Sequence, residues 1–264
     1  EASGATGIDG NESDASAPDS GAVYVFVRSG GTWTQQAYVK ASNPDPGDVF
    51  GMAVALHGDV LVVGAPGEAS GVAGVNRGGE NDNSLVDAGA AYVFVREGTA
   101  WTQQAYLKAS NPGEEDTFGS TVAVMGDTIA VGVDGEDSAS AGVNGNGADD
   151  SAQNAGAVYV FARDGAAWTQ QAYIKASNAQ ALDAFGATVA LSGEWMAVGA
   201  PANRAVQPES EAIKRMTALT APVPCTSSSA TGARGRSGRT SRPRTQRRTT
   251  TSGTESLCRA TRWR

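Results

Sequence analysis

Cysteine is almost missing from this sequence: Cys225 and Cys258 are the only two, and both lie beyond residue 201. A disulfide framework therefore does not hold the first 201 residues together. Histidine occurs once, at His57, which excludes a Cys/His metal cluster and leaves a His-dependent triad without a visible partner. No Gly-rich loop of the phosphate-cradling kind is present. No apolar run approaches the ~18 residues of a membrane span, and the N-terminus carries no signal-peptide pattern. Basic residues are scarce in residues 1–201, with 7 Lys or Arg against 25 Asp or Glu, a balance of −18. Residues 202–264 reverse this, with 13 against 3 and a balance of +10, so the net charge of −8 describes neither part.

What is abundant is self-similarity, with a period of 67 or 68 residues. GAVYVFVR at 21–28 returns as GAAYVFVR at 89–96 and GAVYVFAR at 156–163. WTQQAYVKASN at 33–43 returns at 101–111 and 168–178. Phe50-Gly51 returns as Phe118-Gly119 and Phe185-Gly186, and the VVGAP ending at Pro66 as AVGVD ending at Asp134 and AVGAP ending at Pro201.

Each copy holds four short runs with strand character. They are FGMAVAL (50–56), VLVVGA (60–65), AVYVFV (22–27) and WTQQAYVKA (33–41). They are too short and too rich in β-branched residues for helix, and short gaps such as Ser29-Gly30-Gly31 suit hairpins. The predicted class is all-β: a β-propeller fragment of four-stranded antiparallel blades in an incomplete ring, followed by a disordered C-terminal tail. Residues 1–201 divide into a half blade at 21–43, blades at 50–110 and 118–178, and a half blade at 185–200. The Gly-bearing FG strand suits the crowded axis. Lys40, Lys108 and Lys175, beside paired glutamines, suit an exposed outer edge that must not pair with another chain. A sandwich or β-solenoid shares the same strand pattern.

The signature FG-x2-VA…VGAP followed by GAVYVF resembles the FG-GAP repeat of integrin α-subunit propellers and their bacterial relatives. Phe50, Gly51, Gly64, Ala65 and Pro66 carry it in one copy, and Phe185, Gly186, Gly199, Ala200 and Pro201 in another. The middle copy keeps Phe118, Gly119 and Gly132 but has Val133-Asp134 in place of Ala-Pro. The resemblance implies a calcium loop of spaced aspartates between the FG and GAP strands. This sequence has only tight turns there: His57-Gly58-Asp59, Met125-Gly126-Asp127 and Ser192-Gly193-Glu194. One carboxylate cannot supply the ~6–8 oxygens that calcium takes, so that site is not carried over.

The variable segment is the loop after GAP, at about 67–88, 135–155 and 1–20, long enough to signal function or disorder. Its copies share Gly7, Gly74 and Gly142; then Asp9, Asn76 and Asn144; then Asp14, Asp82 and Asp149, with Ser16, Ser84 and Ser151 after them. Asp9, Asp14, Asn76, Asp82, Asn144 and Asp149 are the candidate ligand-binding residues. Their oxygens could also wrap Ca²⁺, although a solvated acidic loop explains the same composition. Asp48, Asp116 and Asp183 recur before each FG and are either calcium ligands or turn-formers that accept a bond from their own backbone. Antiparallel alternation puts both segments at one end of the blades, where a protein or carbohydrate ligand is expected. Trp33, Trp101 and Trp168 could stack on sugars, but packing between blades is their ordinary use. His57 reads as a solvent-exposed turn residue.

The basic segment 202–264 has the composition of a disordered nucleic-acid-binding tail. The genetic code offers another reading. Taking the last base of each codon with the first two of the next, Thr220–Gly232 permits SAGAVYVFVRDG. In the same frame Gly235 onward permits WSQRAYIKASN, and Thr251–Gly253 permits FG. These fall in the register of a fourth repeat, so a frame shift near Pro201 is expected and no nucleic acid is the expected partner. The functional expectation is a non-enzymatic binding or adhesion module of a secreted or cell-surface protein, with Ca²⁺ as a candidate cofactor. The alternative is an accessory propeller of a larger secreted hydrolase or lyase.

Overall fold

The computed structural model describes residues 1–201; the expected basic tail and its frame-shifted repeat lie outside the described residues. Twelve strands and no helix appear among the described residues. They are β1 (Val23–Ser29), β2 (Thr32–Val39), β3 (Ala53–His57), β4 (Val60–Ala65), β5 (Ala90–Glu97) and β6 (Ala100–Leu107). The series continues with β7 (Thr121–Met125), β8 (Thr128–Val133), β9 (Ala157–Asp164), β10 (Ala167–Ile174), β11 (Thr188–Ser192) and β12 (Trp195–Gly199). They pair as β1-β2, β3-β4-β5-β6, β7-β8-β9-β10 and β11-β12, antiparallel throughout. Two whole blades are thus flanked by complementary halves, the outer pair of strands at the start and the inner pair at the end.

The whole blades are covered on both faces because strand alternation sends odd and even residues to different neighbours. Leu61, Val63, Tyr92 and Phe94 pack with Phe50 and with Val23, Val25 and Val39 of the first half blade. Val60, Val62, Ala91 and Val93 face the next blade, against Phe118, Ile129, Val131, Tyr159 and Phe161. Ala130, Val158 and Val160 pack against Val189, Leu191, Met196 and Val198 of the last half blade. This is why VLVVGA reads as a continuous apolar run. Each fully buried Val, Leu or Phe is worth about 1.5–3 kcal/mol.

The glycines of FG and GAP have a steric cause. Gly51, Gly119 and Gly186 adopt φ of +98°, +94° and +100°, a region side chains avoid. A Cβ on Gly64 would fall 1.9 Å from the Gly119 carbonyl oxygen of the following blade, and one on Gly132 would fall 2.1 Å from that of Gly186. The FG turns at Gly119 and Gly186 therefore press backbone against the GAP strand of the blade before each.

The three lysines are not at an exposed edge. Lys40, Lys108 and Lys175 are buried just past the ends of β2, β6 and β10. Their ammonium groups pair with Glu1, Glu68 and Glu136. Edge protection comes from the chain itself, because each long loop turns back and bridges the outer strand at Ile8–Val39, Val75–Leu107 and Val143–Ile174. The paired glutamines sit at a β-bulge that skips Gln36, Gln104 and Gln171. The bulge re-aims the extra side chain. Gln36 accepts from the Trp101 indole N–H of the next blade at 3.0 Å, and Gln104 from that of Trp168 at 2.8 Å. Trp101 and Trp168 are buried, and Arg96 and Arg163 lie over their rings. The tryptophans thus serve blade packing.

Candidate binding face

One end of the blades carries the tight hairpin turns. His57 is exposed there, and its Nδ1 accepts from the Gly126 N–H of the next blade's turn at 3.1 Å. The carboxylates of these turns are engaged locally, Asp59 by Arg96 Nε at 2.9 Å and Asp127 by Arg163 Nε at 2.7 Å. With one carboxylate per turn, and those of Asp59 and Asp127 already paired to an arginine, the residues do not fit the calcium loop that the resemblance implies.

The other end is built from the long loops and the connections before each FG. The side chains of Asp9, Asn76 and Asn144, all at positive φ, lie against the outer strands. Their Oδ1 atoms accept from the backbone N–H of Tyr38, Tyr106 and Tyr173 at 2.9, 2.8 and 2.9 Å. Their own N–H groups donate to the carbonyls of the same tyrosines. Each thus mimics a strand residue and satisfies the strand edge. Asp14 and Asp82 accept from Gly4 N and Gly71 N at 2.8 and 2.9 Å and from Ser16 and Ser84 hydroxyls at 2.7 and 2.8 Å. Asp149 accepts from Ala139 N at 3.1 Å. The hydroxyls of Ser16, Ser84 and Ser151 hold these three carboxyls below the ordinary aspartate range. They brace the loop base.

Asp48, Asp116 and Asp183 accept from the backbone N–H three residues upstream, on Asp45, Gly113 and Gln180, at 2.8, 2.6 and 2.9 Å. This is the turn-forming geometry. Burial pushes the Asp48 carboxyl up to about 7 and the Asp116 carboxyl up to about 6, with further raising from Glu68 and Glu136 respectively. The structure does not bring these nine positions to one point. Among the described residues, no three His, Cys, Asp or Glu side chains converge to hold a metal ion.

Beneath this face lies a buried assembly. Glu68 Oε2 accepts from Lys108 Nζ at 2.9 Å and from Ser70 N at 3.1 Å. Burial draws the Lys108 ammonium below its usual range, against the pull of Glu68. In the next blade Glu136 accepts from Lys175, from the Tyr173 hydroxyl and from Ser138 N. In the first, Glu1 accepts from Lys40 and from the Tyr38 hydroxyl, each at 3.0 Å. Removing one member of such a buried pair typically costs about 3–5 kcal/mol, because it strands the other charge. The signal was in the sequence: Glu1, Glu68 and Glu136 recur 39 or 40 residues before Lys40, Lys108 and Lys175.

The last residue of the KASN run ties consecutive blades together at this face. Asn43 accepts from the Tyr92 hydroxyl of the next blade at 2.7 Å, and Asn111 from that of Tyr159 at 2.8 Å. Asn111 also donates to the Gly147 carbonyl in the next loop at 2.6 Å. Between this connection and that loop opens a cleft of about 410 Å³. Its walls include Glu114, Asp116, Glu136, Asp137 and Asp150. A second cleft of about 250 Å³, with Asn144 on its wall, adjoins it.

Repeated four-stranded antiparallel sheets, joined side by side through FG turns and carrying loops on one end, define a propeller-type repeat protein. The FG-GAP repeat family matches at residues 33–94, 101–161 and 168–213. The chain belongs to that family. No curated protein matches it. No helix of the described residues is long and apolar enough to cross a membrane.

Proposed function

We propose that this chain is a non-enzymatic binding module that works outside the cell or at its surface, gripping a protein partner with its loop face. FG-GAP repeats form binding propeller modules, and this family membership supports the class. The observation that carries the assignment of the face is the acidic cleft of about 410 Å³ between consecutive blades. Its shape is set by a staple, Asn111 to Gly147, and by a buried ion pair below, so it stands ready before any partner arrives. Its carboxylates favour a partner segment rich in Lys or Arg, because field lines focus in clefts lined by one sign of charge.

The test is calorimetric titration of the full chain with a short Lys/Arg-rich peptide, beside a glycan array. The triple variant Glu114→Gln, Asp137→Asn, Asp150→Asn should weaken peptide binding roughly tenfold or more, and salt should do the same. Peptide binding indifferent to these three residues, or a glycan signal that survives their loss, would remove the assignment.

A further inference from the structure

The loop whose Gly147 and Ala148 line the acidic cleft contains two asparagine–glycine pairs, Asn144-Gly145 and Asn146-Gly147. No other asparagine of the sequence precedes glycine. An amide side chain in that position is open to attack by the next backbone nitrogen, because glycine has no Cβ to crowd the ring that forms. The fold treats the two differently. Asn144 is clamped to the edge of β10: its Oδ1 accepts from the Tyr173 N–H at 2.9 Å and its own N–H donates to the Tyr173 carbonyl at 2.7 Å. Asn146 is exposed and lies outside any strand. Its Oδ1 accepts from the Ala148 N–H at 3.2 Å, an Asx turn that carries the side chain back over the following peptide. A donor on that oxygen also stabilises the negative charge that develops there when a nitrogen adds to Cγ.

We propose that Asn146 is a self-modifying site, converting without an enzyme to aspartate and isoaspartate, while Asn144 stays an amide. The Gly147 nitrogen adds to Asn146 Cγ and gives up its proton; the Cγ–Nδ2 bond breaks, and ammonia leaves with that proton. Water then opens the resulting cyclic imide. Opening at Cγ gives aspartate, and opening at the main-chain carbonyl gives isoaspartate. Either product adds a negative charge beside a cleft already lined by Glu114, Asp137 and Asp150. Isoaspartate also lengthens the backbone by one carbon before Gly147. It turns the Asn146 carbonyl, which accepts from Ser138 Oγ at 2.9 Å, into a free carboxylate. The Gly147 carbonyl is the one that Asn111 Nδ2 holds at 2.6 Å, so the lengthened backbone displaces the staple between the blades.

The repeat supplies its own comparison. Asn11 occupies the position of Asn146 in the first loop and makes the same two contacts. Its Oδ1 accepts from the Ser13 N–H at 3.1 Å, and its carbonyl from Ser3 Oγ at 2.8 Å. Glu12 follows it instead of glycine. Asn146 against Asn11 therefore isolates the effect of the glycine, and Asn146 against Asn144 isolates the effect of the clamp.

The full chain, held in warm and mildly alkaline buffer, is sampled over time by peptide mapping with mass spectrometry. Asn146 should gain the mass that separates an acid from an amide and resolve into two products. It should run roughly tenfold or more ahead of Asn144, where ring closure must first break two hydrogen bonds to the strand edge. Asn11 should lag as well. In urea, with the clamp gone, Asn144 should draw level with Asn146 while Asn11 still lags. Hydroxylamine, which attacks the imide, should cut the folded chain between Asn146 and Gly147, and Asn146→Gln, whose ring is larger and slower to close, should abolish the cut. An Asn146 that stays an amide in the folded chain overturns the proposal, as does an Asn144 or Asn11 that converts as fast as Asn146 there. None of these readings depends on a partner for the cleft.

Discussion

At the scale of single residues, the loop face carries carboxyls whose protonation is set by burial more than by any partner. Asp48 and Asp116 are almost fully buried, and desolvation pushes them up to about 7 and about 6. An unfolded aspartate titrates near ~3.9. The folded chain therefore binds more protons than the unfolded chain between about pH 4 and pH 7, and stability falls as pH rises through that window. Asp14, Asp82 and Asp149 have the opposite shift, so their contribution is lost only below about pH 4. Asp48→Asn keeps an acceptor for the Asp45 N–H while removing the buried charge. It should raise stability at pH 8 by on the order of 1–3 kcal/mol and flatten the slope between pH 5 and 8. Urea melts at the two pH values check this; a variant as pH-dependent as the parent chain would sink it.

At the scale of elements, the joint between blades is a set of small reaches from one sheet to the next. Gln104 is the clearest. The bulge in β10's counterpart β6 lifts it out of the ladder, and its carbonyl takes the Trp168 indole proton of the following blade. Gln104→Ala leaves a buried indole N–H without a partner and should cost about 1–3 kcal/mol, read from the urea midpoint. Thr102→Ala, on the exposed side of the same strand, should cost a few tenths of that. Equal effects would show that the bulge does not aim Gln104 at Trp168. The strands themselves were legible, because β-branched runs punctuated by Gly turns dictate them locally. The small residues of the FG strand suggest the crowded axis, whereas the structure puts the FG glycines Gly119 and Gly186 against the GAP strand of the preceding blade. The destination of Lys108 was not legible from its neighbours, since a lysine beside glutamines reads as solvated; only the recurrence of Glu68 and its counterparts 39 or 40 residues upstream marks it. Nor was the bulge, which depends on pairing register. Asn76 and Asp82 stood out by recurrence, but recurrence alone does not separate a residue that braces a loop from one that meets a ligand.

At the scale of the array, the cores of the described residues join each sheet to its sequence neighbours, so stability is close to a sum of blades and of joints between them. The joint between the two whole blades is the point where this can be tested. Gly64 lies against the Gly119 carbonyl so closely that a Cβ would stand 1.9 Å from the oxygen. Neither side is a flexible side chain, so a methyl group there must push backbone from backbone. Phe118 follows the same turn into the core shared by both blades, and Gly89 bridges to it in parallel pairing. Gly64→Ala should therefore weaken the joint more than it weakens either sheet, at a cost of several kcal/mol by the scale of overpacked cores (~1–3 kcal/mol, more where backbone must move). The expected signature is a loss of coupling: one unfolding transition in the parent chain and two in the variant. Hydrogen exchange should show β3–β6 and β7–β10 opening separately. Ala55→Gly, a change of one methyl within β3, should lower the midpoint while leaving a single transition. If Gly64→Ala also unfolds in one step with an unchanged midpoint, the contact between GAP and FG glycines does not couple the blades, and the recurrence of both motifs needs another cause.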